Sequence, residues 1–253
     1  MDRITACQKK YSQLFHGQPN SGQGNDPELM QILQRLIFGQ VSYISALDDK
    51  TRGLITCVVL AAYQTLPQLK AHVGAALNAG VEPLELRESI YQCMPWIGCT
   101  KTLNALGVVD ETLNARGVSL PLPVAATVTE QDRLARGRKI EAALFAGDPP
   151  ALPAGLPQQT SAALQELLTA YCYGDFYTRA GLDTKPRQLL TLIAVMASGG
   201  DTQQLTLHGQ ACLRLGYTKE DLLAATIHAL PYLGVPRTLV IIQILGGKHV
   251  ITD

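Results

Sequence analysis

The chain runs through one pattern twice, and a repeat of this size constrains the architecture before any single element is considered. Asp2-Arg3 and Leu14-Phe15-x-Gly17 recur as Asp132-Arg133 and Leu144-Phe145-x-Gly147. Gly39 and Leu47-Asp48-x-Lys50-x-Arg52-x-Leu54-x-Thr56 recur as Gly174 and Leu182-Asp183-x-Lys185-x-Arg187-x-Leu189-x-Thr191. After a one-residue slip, Gln68-Leu69-x-x-His72, Leu77, Gly80, Leu86, Pro95 and Gly98 return as Gln204-Leu205-x-x-His208, Leu213, Gly216, Leu222, Pro231 and Gly234. Residues 116–127 separate the copies and hold prolines that cannot continue a helix, so they read as a linker. The boundary falls between 127 and 128, giving domains 1–127 and 128–253. Residues 18–27 and 148–157, rich in Pro, Gly and polar residues, are expected to be surface loops.

Within each copy the apolar residues keep helical time. Leu69, His72, Val73, Ala76, Leu77 and Gly80 fall on one stripe of a 3.6-residue helix, with Pro67 in its first turn and Gly80 at its end. Thr218 followed by Asp221 resembles a capping box that opens a helix over 222–229, which Pro231 closes. Alternating strand patterns are absent. The expected fold is therefore all-α, two similar domains of five or six helices packed together.

Composition excludes several classes of function. With 253 residues and 47% hydrophobic content the chain can bury a sizeable core. Twenty-one basic and 21 acidic residues cancel, so the field that gathers nucleic acid or anionic lipid is missing. The longest apolar runs fall far short of the ~20 residues that span a bilayer. The first ten residues lack a secretory hydrophobic stretch, and a cytoplasmic location is expected. The six cysteines include no Cys-x-x-Cys and read as buried, reduced thiols.

Few side chains stand out chemically. His72 and His208 lie at one repeated place on an apolar helical stripe, where a polar group needs a partner. Lys50, Arg52, Lys185 and Arg187 start the most hydrophobic helix, against its dipole, after Asp48 or Asp183 as N-cap. Such cations call for an acidic partner, at a contact between copies or subunits, or for an anionic ligand; arginine's planar fork suits a carboxylate. Arg179 faces Ile44 in the alignment of the copies, and Tyr232-x-Gly234-x-Pro236 faces Trp96-x-Gly98-x-Thr100. The second copy is thus the better candidate for activity. No metal-ligand spacing, phosphate loop or Ser-His-Asp arrangement is visible, which leaves cofactor-free chemistry.

From Tyr173 to Leu239 the chain resembles the carboxymuconolactone decarboxylase family, which also contains alkylhydroperoxidase D-like proteins. The residues that carry the resemblance are Tyr173-Gly-x-x-x-x-Arg179-x-x-Leu182-Asp183-x-Lys185-x-Arg187-x-Leu189, Leu205-x-x-His208 and Tyr232-x-Gly234-x-Pro236. The resemblance implies an alkylhydroperoxidase D-like helical fold and homo-oligomers; a trimer of this tandem chain would form a pseudo-hexamer. It also implies a small carboxylated lactone or related acid as substrate, in aromatic-compound degradation, with no cofactor. By chemical fit, Arg187 assisted by Arg179 would hold a carboxylate, His208 would be the general acid, and Tyr232 would donate to the lactone oxygen. Lys185, Gly234, Pro236, His72, Arg52 and Trp96 complete the expected binding set. Two alternatives remain: a family member that only binds small acids or serves as an oligomeric scaffold, and the family's peroxidase branch. The latter's Cys-x-x-Cys positions are here Thr65 and Gln68, or Asp201 and Gln204. Trp96 would line a second-copy pocket if the site were composite.

Overall fold

The computed structural model describes residues 1–19, 24–45, 47–147 and 149–247. Among these, the first copy forms α1 (Arg3–Phe15), α2 (Pro27–Gly39), a 3-10 turn (Val41–Tyr43), α3 (Asp49–Tyr63), α4 (Leu66–Asn78), α5 (Pro83–Ile97) and α6 (Cys99–Ala115). The second forms α7 (Arg133–Phe145), α8 (Gln158–Leu168), a π-helical turn (Thr169–Phe176), α9 (Thr184–Ser198), α10 (Thr202–Arg214), α11 (Lys219–Leu233) and α12 (Val235–Gly246). No strand occurs among the described residues. Of the expected loops over 18–27 and 148–157, residues 18–19, 24–26 and 149–157 are irregular, Pro27 already opens α2, and 20–23 and 148 lie outside the described residues.

α3 and α9 are apolar on nearly all sides, and a helix of that kind has to be surrounded. They pack against each other at the centre. Around them the copies exchange helices: α5 of the first lies on α9 of the second, and α11 of the second lies on α3 of the first. Leu54, Val58, Ile90, Leu192, Ile193 and Leu222 consequently belong to one continuous core built by both copies. The connecting segment is strapped to this body. Arg87 donates to the Leu122 and Pro123 carbonyls at 3.2 and 2.7 Å, and Ala180 N–H donates to the Ala125 carbonyl at 2.9 Å.

Helix ends follow local chemistry with two corrections. Asp48 caps α3 by accepting from Thr51 N–H at 2.8 Å, whereas Asp183 makes no side-chain cap to α9. The Thr218–Asp221 capping box forms, yet Pro231 does not close α11. That helix continues through it to Leu233 and stops at Gly234, whose φ of 81° favours glycine. One hydrogen bond is forgone at the proline, and Leu233 is buried in return. α5 repeats the arrangement, with Pro95 inside the helix and Gly98 at its end.

Candidate functional site

α7 presents Gly137, Ile140, Glu141, Leu144 and Phe145 at i, i+3, i+4, i+7 and i+8, so a carboxylate shares the face that buries Leu144 and Phe145. Glu141 is only 7% exposed. Thr169, from the π-helical turn, donates to its Oε2 at 2.9 Å, and Gln165 Nε2 lies 3.4 Å from its Oε1. Burial raises its pKa; the Thr169 hydrogen bond and the Arg138 charge oppose the rise without cancelling it. Glu141 and His208, from α10, line one cavity of about 470 Å³, walled by Trp96, Leu168, Tyr173 and Leu207. The Trp96 ring centre stands 4.8 Å from that of His208 at 83°, and the Phe145 ring 5.8 Å away at 79°. These apolar edges strip water from the imidazole, and burial lowers its pKa to about 4, so His208 is neutral at pH 7.

A chain of buried hydrogen bonds then fixes the tautomer. Arg187 can only donate, and its Nη1 meets Gln92 Oε1 at 3.3 Å. Gln92 Nε2 donates to Thr191 Oγ1 at 3.1 Å. The Thr191 and Tyr177 hydroxyls are 2.8 Å apart, and Tyr177 donates to Gln188 Oε1 at 2.6 Å. Gln188 Nε2 donates to the His208 carbonyl at 3.1 Å, which orients the amide, and to His208 Nδ1 at 3.0 Å. Every donor points from Arg187 toward the histidine. Nδ1 is therefore an acceptor, and the ring proton sits on Nε2, which has no protein partner among the described residues.

The first copy builds a different site in the same place. Arg52 donates to the Ser45 and Leu47 carbonyls at 2.8 and 3.1 Å and reaches His228 Nδ1 at 3.2 Å; His228 Nε2 is 3.0 Å from Thr56 Oγ1. Gly53 stands where Gln188 stands, so no chain reaches His72, and Tyr11 stands where Glu141 stands. His72 is instead boxed by Phe15, Phe38 and Tyr232, with ring centres 5.8, 6.5 and 5.9 Å away. It borders a groove of about 450 Å³ with Leu29, Ile32, Leu33 and Leu36.

The expected meeting of Arg187, His208 and Tyr232 does not occur. Because α11 crosses to α3, Tyr232 joins His72, while α5 brings Trp96 to His208. Nor do Arg187 and Arg179 reach the cavity. Arg187, wholly buried, pairs with Glu88 Oε2 at 3.0 Å, and Arg179 grips the same carboxylate at 2.8 and 3.1 Å. Lys185 donates to the Gly216 carbonyl at 3.0 Å and lies over Tyr217. Gly234 joins α11 to α12, where the exposed Pro236 sits in the first turn. Cys99 is exposed, unlike the other five cysteines. Cys172 lines the cavity, but burial pushes its thiol up to about 12, leaving it protonated.

Glu88, Gln92, Glu141 and Gln188 escaped the sequence reading. Glu141 was within its reach, as an acid on the apolar stripe of α7. Gln188 carried a weaker signal, a glutamine opposite a glycine between two matched halves. Among the described residues no three His, Cys, Asp or Glu side chains come together as a metal site, and no helix is long and apolar enough to cross a membrane.

Comparison with known proteins agrees with the repeat. The profile of the carboxymuconolactone decarboxylase family matches residues 27–111 and 162–245. Over 72 residues the chain is 33% identical to 4-carboxymuconolactone decarboxylase of Acinetobacter baylyi, covering 28% of this chain and 53% of that one. Over 72 residues it is 36% identical to nitrosuccinic acid decarboxylase of Metarhizium robertsii, covering 28% and 50%. The match thus spans about half the length of these curated relatives. A crystal structure from Burkholderia xenovorans, provisionally described as a gamma-carboxymuconolactone decarboxylase subunit, shares the fold over 95% of both chains, with a TM-score of 0.58 and 20% identity.

Proposed function

This chain belongs to the carboxymuconolactone decarboxylase family, and from that premise we propose that its second copy decarboxylates a small carboxylic acid, a carboxylated lactone or a relative of one, without a cofactor. One observation carries the reading: a single cavity holds a neutral histidine and a buried carboxyl of raised pKa between aromatic walls. Such walls disfavour an ionised carboxylate more than the charge-dispersed state that follows loss of carbon dioxide. As the carbon–carbon bond breaks, its electron pair moves toward the substrate carbonyl, and His208 Nε2–H hydrogen-bonds to the oxygen where charge gathers. Glu141 then gives carbon the proton it shares with the bound acid, and its carboxylate recovers one from solvent. The sum is one carboxylate and one proton in, one C–H product and one carbon dioxide out. His208 acts as a neutral donor here because its lowered pKa denies it the imidazolium form.

Carbon dioxide release from a panel of small mono- and dicarboxylic acids, 4-carboxymuconolactone and nitrosuccinate included, tests the reading. Release from at least one acid, lost at least 100-fold in both His208→Gln and Glu141→Gln, is expected for groups of this kind. No release from any of them sinks it. A second reading, a non-catalytic binder of small acids, draws support from Arg179 and Arg187 being tied up at the contact between copies; binding without release would favour it.

A further inference from the structure

The cavity in the second copy contains an acid and, among the described residues that line it, no lysine or arginine. The arginines of the surrounding helices are engaged elsewhere. Arg138 turns outward to Glu166 at 2.8 Å, Arg133 to Asp175 at 2.6 Å, and Arg214 to the Leu144 carbonyl at 3.2 Å. Arg237 donates to the Met196 and Gly200 carbonyls at 2.8 and 3.3 Å, while Arg179 and Arg187 are held by Glu88. The helix ends bordering the cavity do not supply positive potential either. Ser198, Gly199 and Gly200 bring the C-terminal, negative end of α9 to its wall, and the N-terminus of α10 is already capped by Asp201, which accepts from Gln204 N–H at 2.8 Å.

A dianion entering this space would meet a carboxylate and a negative helix end with no cation in the lining to offset them. A neutral molecule meets no such barrier. A monoanion can share one proton with Glu141, as two carboxyls in one site do. We propose that the cavity admits ligands carrying at most one negative charge, a monocarboxylate or a neutral compound, and that Glu141 is the residue that sets this limit.

The inference rests on the cavity assigned above and names the substrate class for it. Its test needs no turnover, because Trp96 is the chain's single tryptophan and lines the cavity, so its fluorescence reports occupancy there. Terephthalamide, its monoacid and terephthalate have nearly one shape and carry charges of zero, minus one and minus two. At pH 7.5 the first two are expected to bind at least tenfold more tightly than terephthalate. Glu141→Gln should shrink that ratio at least fivefold by tightening terephthalate, and Glu141→Asp, which keeps the charge, should preserve it. Equal affinity for terephthalate and its monoacid, or an unchanged ratio in Glu141→Gln, overturns the inference, as does a fluorescence unmoved by all three. The two readings fail separately: charge discrimination without carbon dioxide release from any acid removes the decarboxylase, and release from dicarboxylates as efficient as from monocarboxylates removes the charge limit.

Discussion

Gly39 and Gly174 recur because two helices must touch there. A Cβ on Gly174 would run into the Arg133 carbonyl, and one on Gly39 into the Arg3 carbonyl, and these arginines are themselves a repeated pair. Since backbone cannot yield as a side-chain tip can, Gly174→Ala should cost about 2 kcal/mol or more in urea unfolding. Gly107→Ala, facing open space inside α6, should instead add about 0.5–1 kcal/mol. The buried histidines set a pH dependence whose sign follows from their lowered pKa values, to about 4 for His208 and about 3 for His228, from 6.5. Below pH 6.5 the unfolded chain takes up protons that the folded chain refuses. Their contribution is complete above that pH and is lost as pH falls toward 4, at about 1.4 kcal/mol per pH unit for each histidine. Urea midpoints between pH 7 and 5 check this, and a flat profile contradicts it. Glu141 works the other way: its raised pKa makes the ionised form unfavourable, so Glu141→Gln should stabilise the protein more at pH 8 than at pH 4.

At the scale of elements, α9 is at once the central core helix and the carrier of the polar chain, since Arg187, Gln188 and Thr191 lie at its buried start. Tyr177, just after the π-helical turn, is the link whose loss can be read most cleanly. Tyr177→Phe leaves Gln188 Oε1 and Thr191 without their buried partner, a cost of about 1–3 kcal/mol. It also removes the group that orients the amide, so the imidazole nitrogen shifts of His208, which should report a proton on Nε2 in the parent, are expected to move toward a mixture of tautomers. Unchanged shifts would show that the His208 carbonyl alone holds Gln188. Much of the element level was legible: helical stripes, the Thr218 capping box and the proline-bearing connection are set by neighbours in sequence. The passage of α11 through Pro231 was not, because what offsets the lost hydrogen bond is burial in a core that both copies build.

The same division runs through the whole molecule. Repeat, helical class and family could be read from the chain, but which copy's helices cover which site is a matter of long-range packing. The exchange of α5 and α11 decides it, and Glu88 is where that exchange is locked. This carboxylate is wholly buried and meets Arg179 and Arg187 of the other copy, with Arg87 at 3.3 Å. Removing its charge would leave arginines buried without a counter-ion, a loss of about 3–5 kcal/mol. Glu88→Gln should therefore lower stability by that order. It should also disturb the chain that begins at Arg187, since the guanidinium would no longer be held where Gln92 meets it. The decisive measurement is Glu88→Gln beside Glu85→Gln, whose parent carboxylate makes only a part-exposed pair with Lys50 and a bond to the Glu82 backbone N–H. Destabilisation of about 1 kcal/mol or less in the latter, and several-fold more in the former, together with altered His208 nitrogen shifts in the former alone, would tie the junction between copies to the site. If Glu88→Gln unfolds at the parental urea concentration, the pair does not hold the copies together.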